Sequence, residues 1–318
     1  MKPRVSVCIP SWNSERTIGK ALDSILAQTY ADFEIVVSDN ASTDGTVDVV
    51  RSFQDSRIRL NQNPANVGCY ANHNIAWRLS TSDLITFLDS DDTYEPHRLA
   101  ILVKALDEYP NAVFAYNAVA IVTSNGAVQE ILRSHPESTV LSGIDELRYQ
   151  LGCNTGIMGI VNPPLVRRQA MEKVGGYDIR FAYAGDRHLH WRLCTLGQVA
   201  YCAEPLYRYL VHPYTFDRDP FLVAYGAYDS LRSFLEDFGD NPEIERITYK
   251  ALRDFRAPVV RSWIARALVS SHRDPLRIVS PLSLLAMAFS LSPQAFLKTA
   301  FSPRVWQKLA ENKTKGKA

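Results

Sequence analysis

No charge of one sign dominates this sequence: 35 lysines and arginines stand against 34 aspartates and glutamates, a formal net charge of +1. A chain so balanced has no global field to draw it onto a polyanion, so nucleic acid is not an expected partner and electrostatic recognition must be local. Cysteine is sparse. The five, Cys8, Cys69, Cys153, Cys194 and Cys202, are scattered, odd in number and without a Cys-x-x-Cys pair. That argues against a disulfide framework or a structural zinc module and suits a reducing compartment. No apolar run reaches the ~20 residues a spanning helix needs; the longest, Val279 to Leu291, is broken by serines and a proline. Met1-Lys2-Pro3-Arg4 leads straight into a strand-like apolar run with no room for a secretory leader, so the expected location is cytoplasmic. No Gly-x-Gly-x-x-Gly follows that first run, which disfavours a dinucleotide-dependent dehydrogenase. There is no internal repeat.

What is present is enough to build a sizeable core: 46% hydrophobic and 22% charged residues over 318 positions is ordinary globular usage. Apolar runs alternate with amphipathic stretches in the first hundred residues. Val5 to Ile9 reads as a strand, Ile18, Leu22, Ile25 and Leu26 share one helix face, and Glu34 to Val37 is a second strand. Thr46 to Phe53 and Asn72 to Leu79 follow as helices, with strands at Ile58 to Leu60 and Leu84 to Leu88. Repeated βα units predict an α/β fold with a mostly parallel twisted sheet flanked by helices. Ligands of such sheets bind beyond the carboxyl ends of the strands, where three loops qualify: Pro10 to Ser14, Asp39 to Gly45 and Asp89 to Pro96. Further on, a helix is expected near Asp186 to Leu196 and a strand near Val199 to Cys202. The character then turns helical, over Leu222 to Phe238, Ile244 to Leu268 and Leu282 to Phe289, ending in a lysine-rich tail. The expected organisation is a catalytic domain over 1–215 and a helical C-terminal extension over 216–318.

Candidate chemistry gathers at the strand ends. Asp89, Asp91 and Asp92 follow the apolar run Ile85-Thr86-Phe87-Leu88, and a divalent cation, Mg²⁺ or Mn²⁺, would relieve the repulsion of such crowded carboxylates while bridging to substrate phosphates. The competing reading is a solvated turn whose aspartates cap the next helix. Asp39 ends the second strand, placed to accept hydrogen bonds from a nucleobase, although Asp39-Asn40-Ala41-Ser42-Thr43-Asp44-Gly45 is also good turn chemistry. Trp12, in the loop Ser11-Trp12-Asn13-Ser14, could wall a planar base or simply pack. Asp186 opens a helix, where the dipole keeps a carboxylate ionised, which suits a general base as well as a cap. His188 and His190 are two apart, not the four of a helical zinc pair, and are not read as ligands. His212 could contact metal or phosphate, or be structural.

In their order along the chain these pieces resemble the inverting family-2 glycosyltransferases of the glycosyltransferase-A, nucleotide-diphospho-sugar transferase fold. The matching segments are Val5 to Asn13, Ser24 to Tyr30, Glu34 to Thr46, Asn66-Val67-Gly68 with Asn74, and Phe87 to Asp92. Gly175-Gly176-Tyr177-Asp178, Gly185-Asp186 and Trp191-Arg192 complete the series, and the resemblance spans about residues 4 to 215. It implies that Pro10, Ser11, Trp12 and Glu15 line a nucleotide pocket and that Asp39 reads the base. It also implies donor contacts at Asn66, Asn74, Asp89 and Ser90, a metal held by Asp91, and Asp186 as catalytic base; His212, from its own residue type, stands beside Asp91 as a second metal candidate. The implied donor is a nucleoside diphosphate sugar, by family frequency UDP-linked, and the acceptor a hydroxyl on a glycan or lipid-linked chain of cell-surface polysaccharide synthesis. Two positions depart from the pattern: Gly185 stands where many members have Glu, and His73 where an Arg often precedes the asparagine. A sugar nucleotidyltransferase would carry a Gly-rich, Arg-containing first loop, absent here; a non-catalytic sugar-nucleotide or glycan-binding module is the other alternative. The arginines of the C-terminal region, from Arg253 to Arg277, set beside Leu282, Leu284, Leu285 and Phe289, are compatible with peripheral contact to anionic lipid, with packing on the catalytic domain, or with a homo-oligomer surface.

Overall fold

The structure is a computed structural model and describes residues 2–152, 163–181, 183–211, 220–252 and 254. The chain divides into two compact units, one formed by Met1–Gln150 and Met158–Thr215, the other by Leu151–Ile157 and Phe216–Ala318.

The first unit is built on one mixed sheet. β1 (Val5–Ser11), β2 (Phe33–Asp39), β3 (Ile58–Gln62) and β4 (Leu84–Phe87) form a parallel block in the order β3-β2-β1-β4. Every residue of β1, β2 and β4 is buried, which explains why they read as continuous apolar runs: helices cover both faces and no solvated side remains. The sheet continues through β9 (Leu165–Arg167), β6 (Ala112–Val122), β10 (Gln198–Leu210) and β5 (Thr93–Tyr94), with β7 (Val128–Leu132) against β6 and β8 (Thr139–Ser142) against β10. β9 is antiparallel to both β4 and β6, while β10 runs parallel to β6. The α/β architecture is as expected, and the antiparallel members are short strands added beyond β4. β10 is much longer than the strand expected at Val199 to Cys202, because register shifts around Pro205 bend it and let it continue to Leu210.

Helices α1 (Ile18–Leu26), α2 (Thr46–Ser52), α3 (Cys69–Leu79), α4 (Arg98–Glu108), α5 (Gly143–Gly152), α6 (Arg168–Val174) and α7 (Gly185–Cys194) pack around the sheet. In α1, Ile18, Ala21, Leu22 and Ile25 are all fully buried, the i, i+3, i+4, i+7 stripe that faces a core. Truncating one of its large members, such as Leu22→Ala, is expected to cost about 2–5 kcal/mol.

Two features fix the geometry behind the site. Arg98, fully buried at the start of α4, donates to Asn117 Oδ1 (3.1 Å), Thr86 Oγ1 (3.2 Å) and the Pro163 carbonyl (2.5 Å), and lies 4.0 Å over the Tyr94 ring. It thereby ties α4 to β4, β6 and the approach to β9. Gly143, at the start of α5, sits where a Cβ would be 1.8 Å from the carbonyl oxygen of Cys194 and 2.4 Å from that of Gly197. Only a glycine permits this backbone-on-backbone approach at the end of α7.

In the second unit, α8 (Pro220–Phe238) buries Ala227, Leu231 and Phe234 at helical spacing. A further helix over 242–252 buries Ile244, Ile247 and Ala251. The expected helix at Leu282 to Phe289, the basic stretch from Arg253 to Arg277 and the lysine-rich tail lie outside the described residues. No helix among the described residues is long and apolar enough to cross a membrane.

Candidate active site

The parallel block ends its strands together. Ser11 is paired with Asp39, Asp39 with Gln62, and Leu88 donates its N–H to the Cys8 carbonyl (3.0 Å), so the loops after β1, β2 and β4 open at one edge. The first two are latched reciprocally. Asn13 N–H donates to Ser42 Oγ (2.9 Å), Thr43 N–H to Asn13 Oδ1 (2.9 Å), Ser14 N–H to Thr46 Oγ1 (2.7 Å), and Glu15 N–H to Asp44 Oδ2 (3.1 Å). Asn13 and Ala41 adopt the left-handed region, at φ 49° and 58°, a conformation held for a non-glycine residue only when its surroundings over-determine it.

Asp39 is almost fully buried and its carboxylate accepts the Ser42 N–H (3.0 Å) and hydroxyl (2.5 Å). Pro10 and Ser11 are buried in β1, and the Ser11 hydroxyl is a buried polar atom without a hydrogen-bond partner among the described residues. Trp12 is 55% exposed, an unusual expense of apolar surface that leaves an indole face open at the strand edge. Glu15 accepts the Gly45 N–H (3.3 Å), so its carboxylate belongs to the latch at the start of α2. Asn66 Oδ1 accepts from Asn40 Nδ2 and Gly68 N–H, both at 2.9 Å, shaping the turn before α3.

In the acidic loop the three aspartates separate by environment. Asp92 is buried and accepts the Tyr207 hydroxyl (2.6 Å) and the Leu210 N–H (2.7 Å), fastening the loop to β10. Burial, reinforced by the neighbouring carboxylates of Asp91 and Asp89, pushes its pKa well above the usual carboxylate range. Asp89 and Asp91 are half-buried. The Ser90 and Ser14 hydroxyls share a hydrogen bond of 2.6 Å, joining this loop to the first. Among the described residues no group of three or more His, Cys, Asp or Glu is gathered as a metal cage. Mg²⁺ does not require one, since it typically takes one or two protein carboxylates and completes its shell with water and phosphate oxygens. With Asp92 turned inward, Asp89 and Asp91 are the half-buried carboxylates of this loop that could serve as such donors.

Beside them lies an aromatic cluster that sequence reading did not assemble. His73, buried in α3, donates Nδ1–H to the Cys69 carbonyl (2.9 Å) and places Nε2 3.4 Å from Asp89 Oδ1. Burial opposes its charge, but Asp89 and Cys69 outweigh that and its pKa is pushed up to about 10. The family's frequent arginine is thus replaced by another cation-capable group facing the acidic loop. The His73 ring packs on Tyr177 (4.8 Å) and Phe87 (5.4 Å), and Tyr177 stacks on Tyr70 (5.4 Å, 11°). Asn74, expected among the donor contacts, is buried: its Nδ2 donates to the Tyr177 carbonyl (2.7 Å) and its Oδ1 accepts from Tyr177 N–H (2.9 Å) and Trp77 Nε1 (3.0 Å). In this structure the Asn74 carboxamide pins Tyr177. Arg192 fixes the same turn from α7, donating to the carbonyls of Val174 and Gly176, each at 2.6 Å.

Asp186 stands in the first turn of α7, half-buried, with Ala184 before it in the left-handed region at φ 61°. Burial raises its pKa, the Arg187 charge opposes this, and the Asp89 carboxylate adds to the rise. Burial raises the pKa of the Tyr177 phenol as well, and the Asp89 and Asp186 carboxylates both add to that rise. His188 and His190 are buried, which lowers their pKa values to about 3 and about 4 and keeps them neutral. His212 lies outside the described residues.

A central sheet with a parallel block, flanked by helices, is the α/β architecture of the glycosyltransferase-A type, and solved structures of that type superimpose on the chain. TarS 1–349 from S. aureus matches over 95% of this chain and 82% of its own, at 17% identity and a TM-score of 0.68. The mannosyltransferase PcManGT from Pyrobaculum calidifontis, solved with GDP-Man and Mn²⁺, matches over 95% of this chain and 88% of its own, at 22% identity and a TM-score of 0.58. The chain belongs to glycosyl transferase family 2, whose profile matches residues 6–175. Among curated relatives, the Escherichia coli UDP-Glc:alpha-D-GlcNAc-diphosphoundecaprenol beta-1,3-glucosyltransferase WfgD is 36% identical over 124 residues, 39% of this chain and 49% of that protein. The chain thus spans about half the length of that relative.

Proposed function

We propose that this chain is a metal-dependent, inverting glycosyltransferase that moves a sugar from a UDP-sugar to a hydroxyl of a glycan or lipid-linked acceptor in cell-surface polysaccharide synthesis. One observation supports the reading most: the loops after β1, β2 and β4, carrying Asp39 and Asp89, open at one sheet edge, and Asp186, in the first turn of α7, has its pKa raised by burial with the Asp89 carboxylate adding to the rise.

In this reading the exposed Trp12 indole and the Asp39 carboxylate flank the nucleobase, Pro10 and Ser11 floor the pocket, and Asp89 and Ser90 face the ribose. Asp91 would hold Mg²⁺ or Mn²⁺, which when bound neutralises charge on the departing diphosphate. Asp186 takes the proton of the acceptor hydroxyl as its oxygen bonds to the anomeric carbon. The bond from that carbon to the diphosphate oxygen breaks with its electron pair leaving on the nucleotide, and configuration inverts. No covalent sugar on the protein is formed. Residues 1–215 make up the catalytic domain, and the basic C-terminal extension docks beside a lipid-linked acceptor. Flotation with anionic liposomes tests that docking: full-length protein should float and a chain ending near residue 215 should not.

UDP-glucose with an α-D-GlcNAc-diphospholipid acceptor is the first substrate pair to try, because a relative's name carries it. The direct test is release of nucleoside diphosphate from a panel of sugar nucleotides with Mg²⁺ or Mn²⁺, for the wild type and Asp186→Asn. Release that Asp186→Asn lowers by about 10²–10⁴-fold supports the mechanism. No release with any donor and acceptor would instead favour a sugar-nucleotide-binding module.

A further inference from the structure

Gly185 is a glycine for want of room rather than for backbone freedom. It is not among the positive-φ glycines, yet a Cβ there would lie 2.6 Å from Cε2 of Tyr70 and 2.9 Å from Cδ2 and Cζ. The Tyr70 ring occupies the space that a side chain at 185 would need. It is held there from two sides: its face stacks on Tyr177 at 5.4 Å and 11°, and its hydroxyl oxygen accepts the Gly185 N–H at 3.0 Å.

That hydrogen bond has a particular value at this helix. The first N–H groups of α7 have no partner within the helix, and Ala184 in the capping position has no polar side chain to offer them. A phenol arriving from α3, 115 positions earlier in sequence, takes over the task. Burial, with the nearby Asp186 carboxylate, raises the pKa of Tyr70 and keeps the phenol protonated. Its oxygen receives the helix N–H while its own hydrogen remains to donate, one residue from the carboxylate assigned as base.

We propose that Tyr70 is a positioning residue for transfer: its hydroxyl grips the first turn of α7 and sets the Asp186 carboxylate against the acceptor hydroxyl, in the place a side chain at 185 would otherwise occupy. This rests on the function proposed above. The aromatic stack makes the grip rigid, since Tyr70 cannot swing from Gly185 without leaving Tyr177, and Tyr177 is pinned in turn by Asn74. A general base is effective only when held in a near-attack geometry, and displacement of about 1 Å can cost 10²-fold in rate.

Tyr70→Phe tests this because it keeps the ring and the stack and removes only the hydroxyl. With UDP-glucose, Mn²⁺ and the α-D-GlcNAc-diphospholipid acceptor, kcat should fall by about ten- to a hundredfold, while the KM for UDP-glucose stays at its wild-type value and the thermal midpoint falls only by what one lost helix-end hydrogen bond allows. Gly185→Ala, which pushes the ring aside, should give a loss of similar kind. The double variant should be no worse than Gly185→Ala alone, because both changes break the same contact. Wild-type kcat in Tyr70→Phe, a loss of thermal stability without loss of kcat, or additive losses in the double variant would each overturn the role of Tyr70 while Asp186→Asn still lowers turnover by about 10²–10⁴-fold. Normal turnover in Asp186→Asn would overturn the base assignment and the role of Tyr70 with it.

Discussion

Tyr207 in β10 donates its phenolic hydrogen to Asp92 Oδ2 at 2.6 Å, and the N–H of Leu210, three residues on, donates to the other oxygen of the same carboxyl. The acidic loop is therefore hung from a strand more than a hundred positions away, and its third aspartate is spent on that attachment. Tyr207→Phe should leave a buried carboxyl short of a partner at a cost of about 1–3 kcal/mol. Urea unfolding measures it: an unchanged midpoint would show that the loop does not depend on this contact.

Asp91 and Asp92 should then separate cleanly on substitution, although they are neighbours. Asp91→Asn is expected to lower metal-dependent turnover by about a hundredfold or more, the scale of losing a group that faces charge developing in the transition state. Asp92→Asn should instead lower the unfolding midpoint and keep the response to added Mn²⁺. Nucleoside diphosphate release titrated with Mn²⁺ for both variants checks the pair, and near-normal activity in Asp91→Asn would remove it from the metal site.

Glu146 on α5 supplies a pH dependence unrelated to transfer. Its side chain is fully buried and accepts the Tyr116 hydroxyl (2.7 Å) and the Gln150 amide (2.7 Å), with His135 Nε2 at 2.8 Å. Burial works against the charge, but these partners outweigh it and hold the carboxyl below its ordinary value. A carboxyl depressed on folding contributes stability that is fully present above the unfolded value, about 4.3, and is lost as pH falls through the folded one. Thermal midpoints measured from pH 7 to pH 3 should thus drop less steeply for Glu146→Gln than for the wild type.

Arg98 makes a sharper demand on stability. Its three donated bonds end on groups from β4, β6 and the residue leading toward β9, and Arg98→Ala would strand them while opening a cavity. The expected loss is roughly 3 kcal/mol or more. Arg98→Lys, which keeps a charge but cannot fork toward three acceptors, should recover only part of it. Denaturant midpoints of the two variants give the comparison.

The parallel block was legible in the sequence because buried strands and amphipathic helices leave different periodicities, and Val5 to Phe87 alternates between them. The rest of the sheet was not. β6 is an eleven-residue run with every side chain buried, a pattern that periodicity cannot distinguish from a buried helix. The carboxylates at the strand tips were visible because the ends of parallel strands converge by rule. The cluster of Tyr70, His73 and Tyr177 was invisible for the opposite reason: its members come from α3 and from a turn a hundred positions later, and no local spacing records their meeting. Asn74 shows the same limit, since its match to a donor-site segment gave no hint that its carboxamide faces inward to Tyr177. Gly185 read as a departure from the family pattern and became intelligible only once the ring filling its space was seen.

The contact at Gly143 reaches further than its position suggests. A helix of ten residues is a rod about 15 Å long, and α7 carries Asp186 at one end and the Cys194 carbonyl, pressed against Gly143, at the other. A side chain introduced at 143 meets the Cys194 and Gly197 carbonyls, so where α7 rather than α5 yields, a stiff helix carries the displacement to Asp186 at its other end. A screen for altered transfer rates is therefore expected to recover substitutions at Gly143, at the far end of the helix that carries Asp186.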